Sequence, residues 1–317
     1  MTDPATIRIV WNEGTMGEWG HHFLSIPHST LPQSFAYAYA MGQTKGHVPR
    51  LGLILHGEEP IGLVQVLERT SMKLFRQAHI HRGPLWFGEP PQDDAMEAVF
   101  RILRKTYPDT LFRRLSILPE LPAGPAMDEL MRRTGFRKTA PGYRTVWLDL
   151  KPAPEAIRTR FGGGWRKGLR AAEKANLVLD VDPEARNLPW LVRQDQRQAK
   201  NKHYRSASGK LLVRLRNALH QSGGILMITA LSGKTPVAAA LLIVHGQAAT
   251  YQVGWSNDAG RKTNAMRLVL WRAITELKKR GITSLDLGGI NPEDAAGVTE
   301  FKLGLGGDVF ETVGLFR

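Results

Sequence analysis

One segment near the end of the sequence combines a lysine with closely spaced glycines, a combination that can bind an anion. The segment 284–307 reads SLDLGGINPEDAAGVTEFKLGLGG. It predicts a strand that carries Asp286, a loop, and a short helical turn that presents Lys302 beside glycine-rich backbone. Because α/β folds bind ligands at the carboxyl ends of their strands, Lys302 is a candidate site residue. The alternative is that Lys302 lies on a surface turn and contacts only solvent.

A second candidate is the glycine run 162–164, which precedes Trp165, Arg166 and Lys167. Backbone N–H groups at a helix start, together with two cations, can bind phosphate. The run is equally consistent with a flexible joint ahead of a basic helix, so both interpretations stay open. The segment SGKT at 232–235 is not a P-loop, because Ile228 stands where that motif requires glycine.

The composition excludes several chemistries. The absence of cysteine removes disulfides, thiolate metal ligands and cysteine nucleophiles. No HExxH motif is present, and the pair His79 and His81 has no third ligand at a suitable spacing, so no metal site is predicted. The sequence begins without a secretory signal pattern and contains no segment apolar enough to span a membrane, so we expect a cytoplasmic protein.

Positive charge is concentrated in the middle of the sequence. The chain carries 43 Lys and Arg against 29 Asp and Glu, a net charge of +14, and segment 151–220 alone holds 16 basic and six acidic residues. This excess favours a polyanionic partner, such as nucleic acid, a nucleotide-linked substrate or an anionic membrane face. The alternative is a solvated basic surface. The candidate phosphate-binding residues are Arg166, Lys167, Arg170 and Lys174.

A pattern of hairpin, long strand, helix and strand occurs twice along the sequence. In the first half the helix is predicted at about 95–105, before a strand around 115–118. In the second half the helix is predicted at about 265–280, before a strand at 284–287, with Asn264 as its N-cap. The repetition indicates two copies of one α/β unit.

The repeat predicts two domains, at 1–150 and 151–317. The second domain includes the basic segment 151–220, which is predicted to be helical. The strand at the C-terminus is a candidate to pack back across the two domains.

At these motifs the sequence resembles the Fem-type (FemABX) aminoacyltransferases of the GNAT superfamily. TLPQSFAYAYA at 30–40 is similar to the family's Q-S-x-x-W/Y helix, and HRGPLW at 81–86 is similar to its R-G-P segment. The strongest similarity is the order TYQVGWSN, helix, GITSLDLGGI and FKLGLGG within 250–307. The resemblance covers most of the chain. It implies an α/β (α+β) fold of two tandem GNAT-like domains, with mixed central sheets flanked by helices.

The resemblance implies transfer of an amino acid from aminoacyl-tRNA to an amine, which forms an amide bond. Lys302 is then expected to stabilise the oxyanion, and Phe301 to pack beside the terminal adenosine. No cofactor is implied, since aminoacyl-tRNA is a co-substrate. The implied acceptor is a nucleotide- or lipid-linked peptide of the peptidoglycan pathway or another amine. The positive charge of the chain adds an anionic membrane as a peripheral contact. The substrate-binding residues expected are Tyr251, Arg197, Lys202, Tyr204, Arg82 and Trp255.

The sequence also departs from related patterns. Ala40 and Met41 occupy the place where the Fem family often has a lysine, which leaves the acceptor open. A GNAT domain that binds acetyl-CoA normally has Q/R-x-x-G-x-G/A after its central strand, but here Asn264 and Met266 occupy the glycine places. An acyl-CoA-dependent N-acyltransferase is therefore the alternative enzyme, and a non-catalytic binding module is the third hypothesis. No general base stands out, and we favour a structural role for Asp286.

Overall fold

The computed structural model describes residues 6–12, 16–202 and 206–317. The chain forms two compact units, of which one comprises residues 1–144 together with 310–317 and the other residues 145–309. Each unit has a hydrophobic core of its own. In the part of the chain that is described, no helix is both long and apolar enough to cross a membrane.

The first unit alternates strands and helices. Its elements in chain order are β1 (Ile7–Trp11), α1 (Met16–Leu24), α2 (Phe35–Lys45), β2 (Val48–His56), β3 (Glu59–Ser71), β4 (Phe75–His81), β5 (Leu85–Trp86), α3 (Asp93–Thr106), β6 (Arg113–Leu118), α4 (Pro125–Arg133) and β7 (Lys138–Ala140). A short 3-10 helix at Leu31–Gln33 leads into α2. These elements include the predicted helix and strand of the first repeat.

The second unit repeats this alternation after a helical segment. Its elements are β8 (Arg144–Asp149), α5 (Pro154–Arg160), α6 (Gly163–Glu173), β9 (Val178–Asp182), α7 (Leu188–Lys202), α8 (Gly209–Leu219), β10 (Ile225–Ser232), β11 (Thr235–His245), β12 (Ala248–Ser256), α9 (Asp258–Lys262), α10 (Ala265–Lys279), β13 (Ser284–Gly289), α11 (Ala296–Leu303) and β14 (Asp308–Glu311). The chain ends in β15 (Leu315–Phe316).

Each unit is built on a mixed sheet. The first sheet has the order β1-β2-β3-β4-β6-β15-β7, with β5 beside β3, and the second has the order β14-β8-β13-β12-β11-β10-β9. In both units an antiparallel hairpin is followed by a third antiparallel strand, a helix and a strand that pairs in parallel. This shared order confirms the predicted duplication of one α/β unit. The strand β8, which the sequence-based division assigns to the first domain, pairs with β13 in the second sheet.

The helix α10 follows directly from its sequence pattern. One face is fully buried against β10 and β11, and Gly281, with φ of 75°, follows its end. The left-handed conformation at that position suits glycine. At the other end, Asn264 is the N-cap but has a left-handed φ of 57°, and its Oδ1 accepts a hydrogen bond from Arg267 Nη1 at 2.6 Å. The predicted cap is therefore at the right residue, with a different geometry.

The basic segment 151–220 is not entirely helical. Four helices, α5 to α8, lie in this segment, but it also contains β9, an edge strand that pairs with β10. The buried Asp182 ends β9, and its carboxylate accepts from the backbone N–H groups of Glu184 at 3.0 Å and Arg186 at 2.6 Å. The strand therefore stops where its own side chain holds the following turn.

Gly142 lies directly against the returning C-terminal segment, and we predict that Gly142→Ala destabilises the first unit. An added Cβ would lie 1.7 Å from the carbonyl oxygen of Thr312. Tyr143 and Thr312 hold this contact through hydrogen bonds of 2.8 and 2.9 Å. Since backbone must shift to admit the methyl group, the free energy of unfolding should fall by roughly 1–3 kcal/mol in urea titrations followed by circular dichroism.

Gly20→Ala is the matched control, because a Cβ at Gly20 meets nothing within 4 Å. Gly20 lies within α1, so alanine there should leave stability equal or raise it by up to about 1 kcal/mol. Equal urea midpoints for Gly142→Ala and the unsubstituted protein would contradict the close approach of Thr312.

Candidate active site

The sheet of the second unit opens between two of its strands. The parallel pairing of β12 with β13 is short and ends with Thr250 opposite Asp286. Beyond that pair, β12 continues along β11, whereas β13 stays with β8, with which it is paired from Ser284, and ends with Gly289 opposite Thr145. The two strands therefore diverge at their carboxyl ends, which is where α/β sheets bind ligands.

The corresponding strands of the first unit do not open in this way. There, β4 and β6 stay paired in parallel from Arg76 opposite Arg113 to His81 opposite Leu118. A continuous ladder leaves no gap for a side chain between the strands. The opening of the second unit is therefore the candidate active site.

Lys302 reaches this opening from α11. Its side chain is buried, and its Nζ donates a hydrogen bond of 2.7 Å to the carbonyl oxygen of Gly289 and lies 5.9 Å from the centre of the Tyr251 ring. A Cβ added at Gly288, where φ is 75°, would lie 3.5 Å from the same nitrogen. Burial lowers the pKa of Lys302 to about 8, against the opposing effect of the Asp286 carboxylate. The structure thus brings Lys302 together with the glycine turn, and its oxyanion role stays a prediction.

The carboxylate of Asp286 holds the turn at Gly288 and Gly289 through hydrogen bonds. The side chain is buried, and its Oδ1 accepts hydrogen bonds from the backbone N–H of Gly288 at 2.8 Å and from the hydroxyl of Thr145. These contacts fix the left-handed Gly288 and, through it, the carbonyl that binds Lys302. The geometry fits the structural role that the sequence favours for this carboxylate.

Phe301 forms a cluster with Trp165 and Arg267. The sequence alone does not predict this cluster. Its ring lies 5.9 Å from that of Trp165, whose indole N–H donates to the Phe301 carbonyl oxygen at 3.2 Å. The guanidinium of Arg267 lies 5.4 Å from the Phe301 ring and 5.9 Å from the Trp165 ring. Burial lowers the pKa of Arg267, and within the described residues its Nε has no hydrogen-bond partner.

Tyr251 borders the opening on the side of β12. The pairing with β11 shifts next to this tyrosine, because Val253 lies opposite Leu241 and Tyr251 opposite Leu242, which leaves Gln252 of β12 without a partner in the ladder. The hydroxyl of Tyr251 contacts Met266 Sδ at 3.6 Å and lies where a Cβ of Gly254 would stand, at 1.6 Å. Any side chain at position 254 would therefore displace the Tyr251 hydroxyl from this position. The ring of Tyr251 lies near the Lys302 ammonium, and its substrate-binding role stays a prediction.

Three of the other predicted substrate residues fall on or after α7, and a fourth packs against this helix. Trp255 on β12 makes an edge contact with Trp190 of α7, with ring centres 5.1 Å apart. Arg197 is exposed on the same helix. Lys202 is the last residue of α7, but its side chain lies outside the described residues, as does Tyr204. Their roles stay predictions.

The predicted phosphate-binding residues lie on α6 and at its end. Lys167, Arg170 and Lys174 are exposed and follow one another at helical spacing, so they share one face. Within the described residues none of these three is in an ion pair, whereas Arg166 donates to the Thr159 carbonyl oxygen at 2.6 Å. This face can attract a polyanion, and its phosphate-binding role stays a prediction.

The glycine run 162–164 lies at the start of α6, and its last two glycines belong to the helix. Gly162 donates its backbone N–H to the carbonyl oxygen of Gly304 at 2.9 Å, and α6 begins at Gly163. One of the proposed phosphate donors is therefore already engaged. The contact joins the start of α6 to the glycine-rich turn after Lys302.

Arg82 lies in the first unit and is buried in an ion pair. Its Nε and Nη2 donate to Glu120 at 2.8 and 2.6 Å, and its guanidinium lies 5.0 Å from the Tyr143 ring. Its carbonyl oxygen accepts from Thr30 at 2.8 Å. The neighbouring Gly83 lies where a Cβ would meet the Gln33 side chain at 2.4 Å. The segments 30–40 and 81–86, which both carry the resemblance, are thus in direct contact. The buried ion pair gives Arg82 a structural role. Its substrate-binding role stays a prediction.

The loop before α10 lacks the two glycines of a phosphate-binding turn, but one of their places has a left-handed backbone. Asn264 takes a left-handed conformation that glycine usually occupies. The adjacent Arg261 is engaged with the Ser256 carbonyl oxygen and with Asp258. A side chain at Asn264 and another at Met266 restrict the approach of a pyrophosphate to this backbone.

Comparisons with known proteins agree with this architecture. Residues 158–305 match a family described as an acetyltransferase (GNAT) domain. The crystal structure of FemX is similar to this chain with a TM-score of 0.79 and 16% identity, over 97% of this chain and 96% of FemX. The chain has the Fem-type tandem GNAT fold. No curated protein sequence matches it.

Other solved structures share the tandem arrangement with lower similarity. A tandem GNAT protein from the clavulanic acid biosynthesis pathway matches with a TM-score of 0.51 and 12% identity, over 98% of this chain and 97% of that one. The C-terminal domain of a putative lysylphosphatidylglycerol synthetase from Agrobacterium fabrum matches with a TM-score of 0.50 and 14% identity, over 95% and 91% of the two chains. Together these matches confirm the predicted fold class.

The buried charge of Lys302 should cost stability, so we predict that Lys302→Met stabilises the fold at neutral pH. Methionine has a similar volume and no charge to bury. Since each unit of pKa depression corresponds to about 1.4 kcal/mol, the free energy of unfolding should rise by roughly 1–3 kcal/mol after loss of the Gly289 hydrogen bond is included.

The pH dependence distinguishes this cause from a simple packing effect. The pKa of Lys302 is about 8 in the folded chain, against the ordinary lysine value of 10.5 that applies to the unfolded chain. Between these values the unfolded chain binds more protons, so the original protein gains stability with rising pH. The advantage of Lys302→Met should therefore shrink over that interval. A constant difference between the two urea midpoints would refute the buried-charge explanation.

Proposed function

We propose that this protein is an acyltransferase that moves an amino acid from aminoacyl-tRNA to an amine. The observation that carries the proposal is the buried ammonium of Lys302, at the opening between β12 and β13 of a Fem-type tandem GNAT fold. A buried cation beside glycine-rich backbone is suited to stabilise negative charge that develops during acyl transfer.

The reaction needs few groups from the protein. The acceptor amine attacks the ester carbonyl, a C–N bond forms, the ester C–O bond breaks, and the departing 3′-hydroxyl takes the proton that the amine loses. Lys302 would exchange its hydrogen bond to the Gly289 carbonyl for one to the tetrahedral oxyanion. Because it already holds a fixed position, little reorganisation is needed as the charge forms. Asp286, occupied by Gly288 and Thr145, takes no part in proton transfer.

The terminal adenosine of the tRNA would stack on the cluster around Phe301. Trp165 and Phe301 offer aromatic faces, and Arg267 adds a cation with a buried Nε. Aromatic stacking is tolerant of sequence and contributes about 1–3 kcal/mol per base. The exposed cations of α6 would then bind phosphates of the acceptor stem. This assignment gives a role to Arg267, which the sequence pattern alone does not single out.

The acceptor is an amine, and a nucleotide- or lipid-linked peptide of the peptidoglycan pathway fits the resemblance to FemX. Ala40 and Met41, in place of the lysine common in that family, leave room for a different acceptor. Transfer within the cytoplasm fits both an acceptor of this kind and the tRNA donor. No cofactor beyond aminoacyl-tRNA is needed for the proposed chemistry.

The alternative is an N-acyltransferase that uses acyl-CoA. It is favoured by the match of residues 158–305 to the GNAT domain and by the glycine-like left-handed backbone of Asn264. It is opposed by the side chains of Asn264 and Met266 at the turn that would hold the pyrophosphate. Acyl-CoA binding measured by calorimetry separates the two donors, because tRNA-dependent transfer requires no affinity for CoA.

The direct test is incubation of the full chain with a pool of tRNAs charged with labelled amino acids, together with candidate amines. Loss of one label from tRNA and its appearance in an amide would support the proposal, and Lys302→Ala should slow this transfer by about 10²–10³-fold. Transfer from acetyl-CoA with no transfer from charged tRNA would instead establish the alternative.

We predict that the α6 face makes tRNA binding dependent on salt. Replacing Lys167, Arg170 and Lys174 together by Gln should weaken binding at low salt. It should also reduce the slope of log K against log salt by about one for each phosphate that the variant no longer binds. The measurement is fluorescence anisotropy of labelled tRNA at a series of salt concentrations.

The matched control removes the same charge elsewhere in the second unit. Lys210, Arg214 and Lys234 are exposed, and their joint replacement by Gln should leave most of the slope intact. Identical slopes for both triple variants would show that affinity depends on net charge and not on the α6 face.

The pH profile tests the protonation state in which Lys302 acts. Burial places the pKa of Lys302 at about 8. An oxyanion contact requires the ammonium form, so kcat/KM should fall as pH rises through about 8, after correction for uncatalysed ester hydrolysis. Lys302→Arg keeps its charge and should lose this alkaline decline at a lower overall rate. The acceptor amine titrates in both proteins, so the test is the difference between their pH profiles. Identical profiles for Lys302→Arg and the unsubstituted protein would contradict the proposed role.

A further inference from the structure

Five large apolar side chains project into solvent at one end of the first unit. They belong to the turn between β3 and β4, to the first residue of β4 and to the loop before β6, and we call them the apolar tip. Met72 is 82% exposed, Leu111 73% and Leu74 52%, and the aromatic pair is 41% exposed at Phe112 and 37% at Phe75. Monomeric proteins rarely leave a cluster of this kind uncovered, and such clusters mark binding surfaces.

The two loops of the apolar tip are joined to each other. The rings of Phe75 and Phe112 are in contact, with centres 5.7 Å apart, and the backbone N–H of Arg76 donates to the Phe112 carbonyl oxygen at 2.8 Å. The turn itself places Met72 and Lys73 in left-handed conformations, with φ of 50° and 58°. Non-glycine residues rarely adopt this backbone. The chain therefore holds the exposed side chains in place by a defined local structure.

Arginines adjoin the apolar tip, since Arg76 follows Phe75 and Arg113 follows Phe112. A cavity of about 400 Å³ next to it is lined by arginines from β2, β3, β4 and β6, and these are Arg50, Arg69, Arg76, Arg113 and Arg114. Arg50 lies 3.8 Å from Glu68 and stacks on the Trp11 ring at 4.5 Å. Within the described residues, the other four are not engaged in an ion pair. Lys73 adds a further charge at the turn.

The apolar tip and the arginine-lined cavity together distinguish between two polyanionic partners, RNA and a phospholipid bilayer. RNA would neutralise the arginines and could stack on Phe75 and Phe112, but it has no surface that would bury Met72, Leu74 and Leu111. A phospholipid bilayer supplies both parts, since acyl chains cover the aliphatic side chains while headgroup phosphates bind the arginines. The exposed aliphatic residues therefore favour a membrane over a nucleic acid.

We propose that this face of the first unit docks on an anionic phospholipid membrane. The apolar tip enters the boundary between headgroups and acyl chains, and the arginine-lined cavity binds headgroup phosphate. The binding is peripheral and reversible, since it uses five side chains and a cluster of cations. It is independent of the proposed acyl transfer, although it would bring an enzyme of that kind to acceptors linked to lipid.

Because the chain lacks cysteine, one introduced thiol can report on the apolar tip alone. Met72→Cys carrying an environment-sensitive fluorophore should show a blue shift and brighter emission with vesicles of phosphatidylglycerol and phosphatidylcholine. Vesicles of phosphatidylcholine alone should give little change. The control label is at Val178→Cys, on β9 of the second unit, where the side chain is 59% exposed and should report no insertion.

Sedimentation of the full chain with the same vesicles tests separately the contributions of the apolar tip and of the arginine-lined cavity. Met72→Ser combined with Leu111→Ser should lower partitioning to anionic vesicles about tenfold or more, because the two most exposed of the five inserting side chains are lost. Leu24→Ser combined with Val178→Ser removes similarly exposed apolar groups and should have little effect. Arg76→Gln combined with Arg113→Gln should weaken binding most at low salt, since screening reduces the charge contribution.

Three results would overturn the proposal. The first is an unchanged spectrum of the label at Met72→Cys with anionic vesicles. The second is equal partitioning of the unsubstituted protein and the Met72→Ser, Leu111→Ser variant, with both folded by circular dichroism. The third is a loss of RNA affinity in that variant without loss of vesicle binding, which would assign this face to nucleic acid. None of these measurements uses acyl transfer, so their failure is separate from failure of the proposed enzyme.

Discussion

The early end of the pairing between β12 and β13 is the constraint on which the candidate site depends. Parallel strands that separate after Thr250 and Asp286 leave backbone groups without ladder partners at the edge of the opening. Those groups must be satisfied in another way, because unpaired buried polar groups are costly. At this position the Gly289 carbonyl binds the ammonium of Lys302, and the Gly288 N–H binds the carboxylate of Asp286. The opening between the strands therefore depends on the two charged side chains, Lys302 and Asp286, that bind its backbone groups.

Burying Lys302 works against stability, since desolvation disfavours the charged form. The neighbouring Asp286 offsets only part of this cost, because burial still lowers the pKa of Lys302 to about 8. A lysine that served only the fold could be replaced by an apolar residue at lower cost. Residues that reduce stability in this way cluster at functional sites. The energetic argument thus points to function independently of the resemblance to any family.

The sequence predicts local features better than distant contacts. The helix α10 is predicted to within one residue at its end, because its apolar stripe and Gly281 both lie within the segment. Lys302 and its glycine turn are also close in sequence, so their association could be predicted. The contact of Phe301 with Trp165 and Arg267 joins residues from three separate elements, and periodicity carries no signal for it. The ion pair that occupies Arg82 has the same character, since Glu120 belongs to another part of the first unit.

The duplicated units show how one strand order supports two kinds of surface. In the first unit the continuous ladder between β4 and β6 closes the position that Lys302 occupies in the second. Because β4 and β6 are paired along this whole ladder, the first sheet has no opening between these strands. Its exposed charged and aromatic side chains lie instead at the amino ends of the two strands. Arg76 and Arg113 stand opposite each other at the start of this ladder, beside the paired rings of Phe75 and Phe112. Two arginines at facing positions repel each other, so a bound anion would relieve a cost that the strand pairing itself imposes.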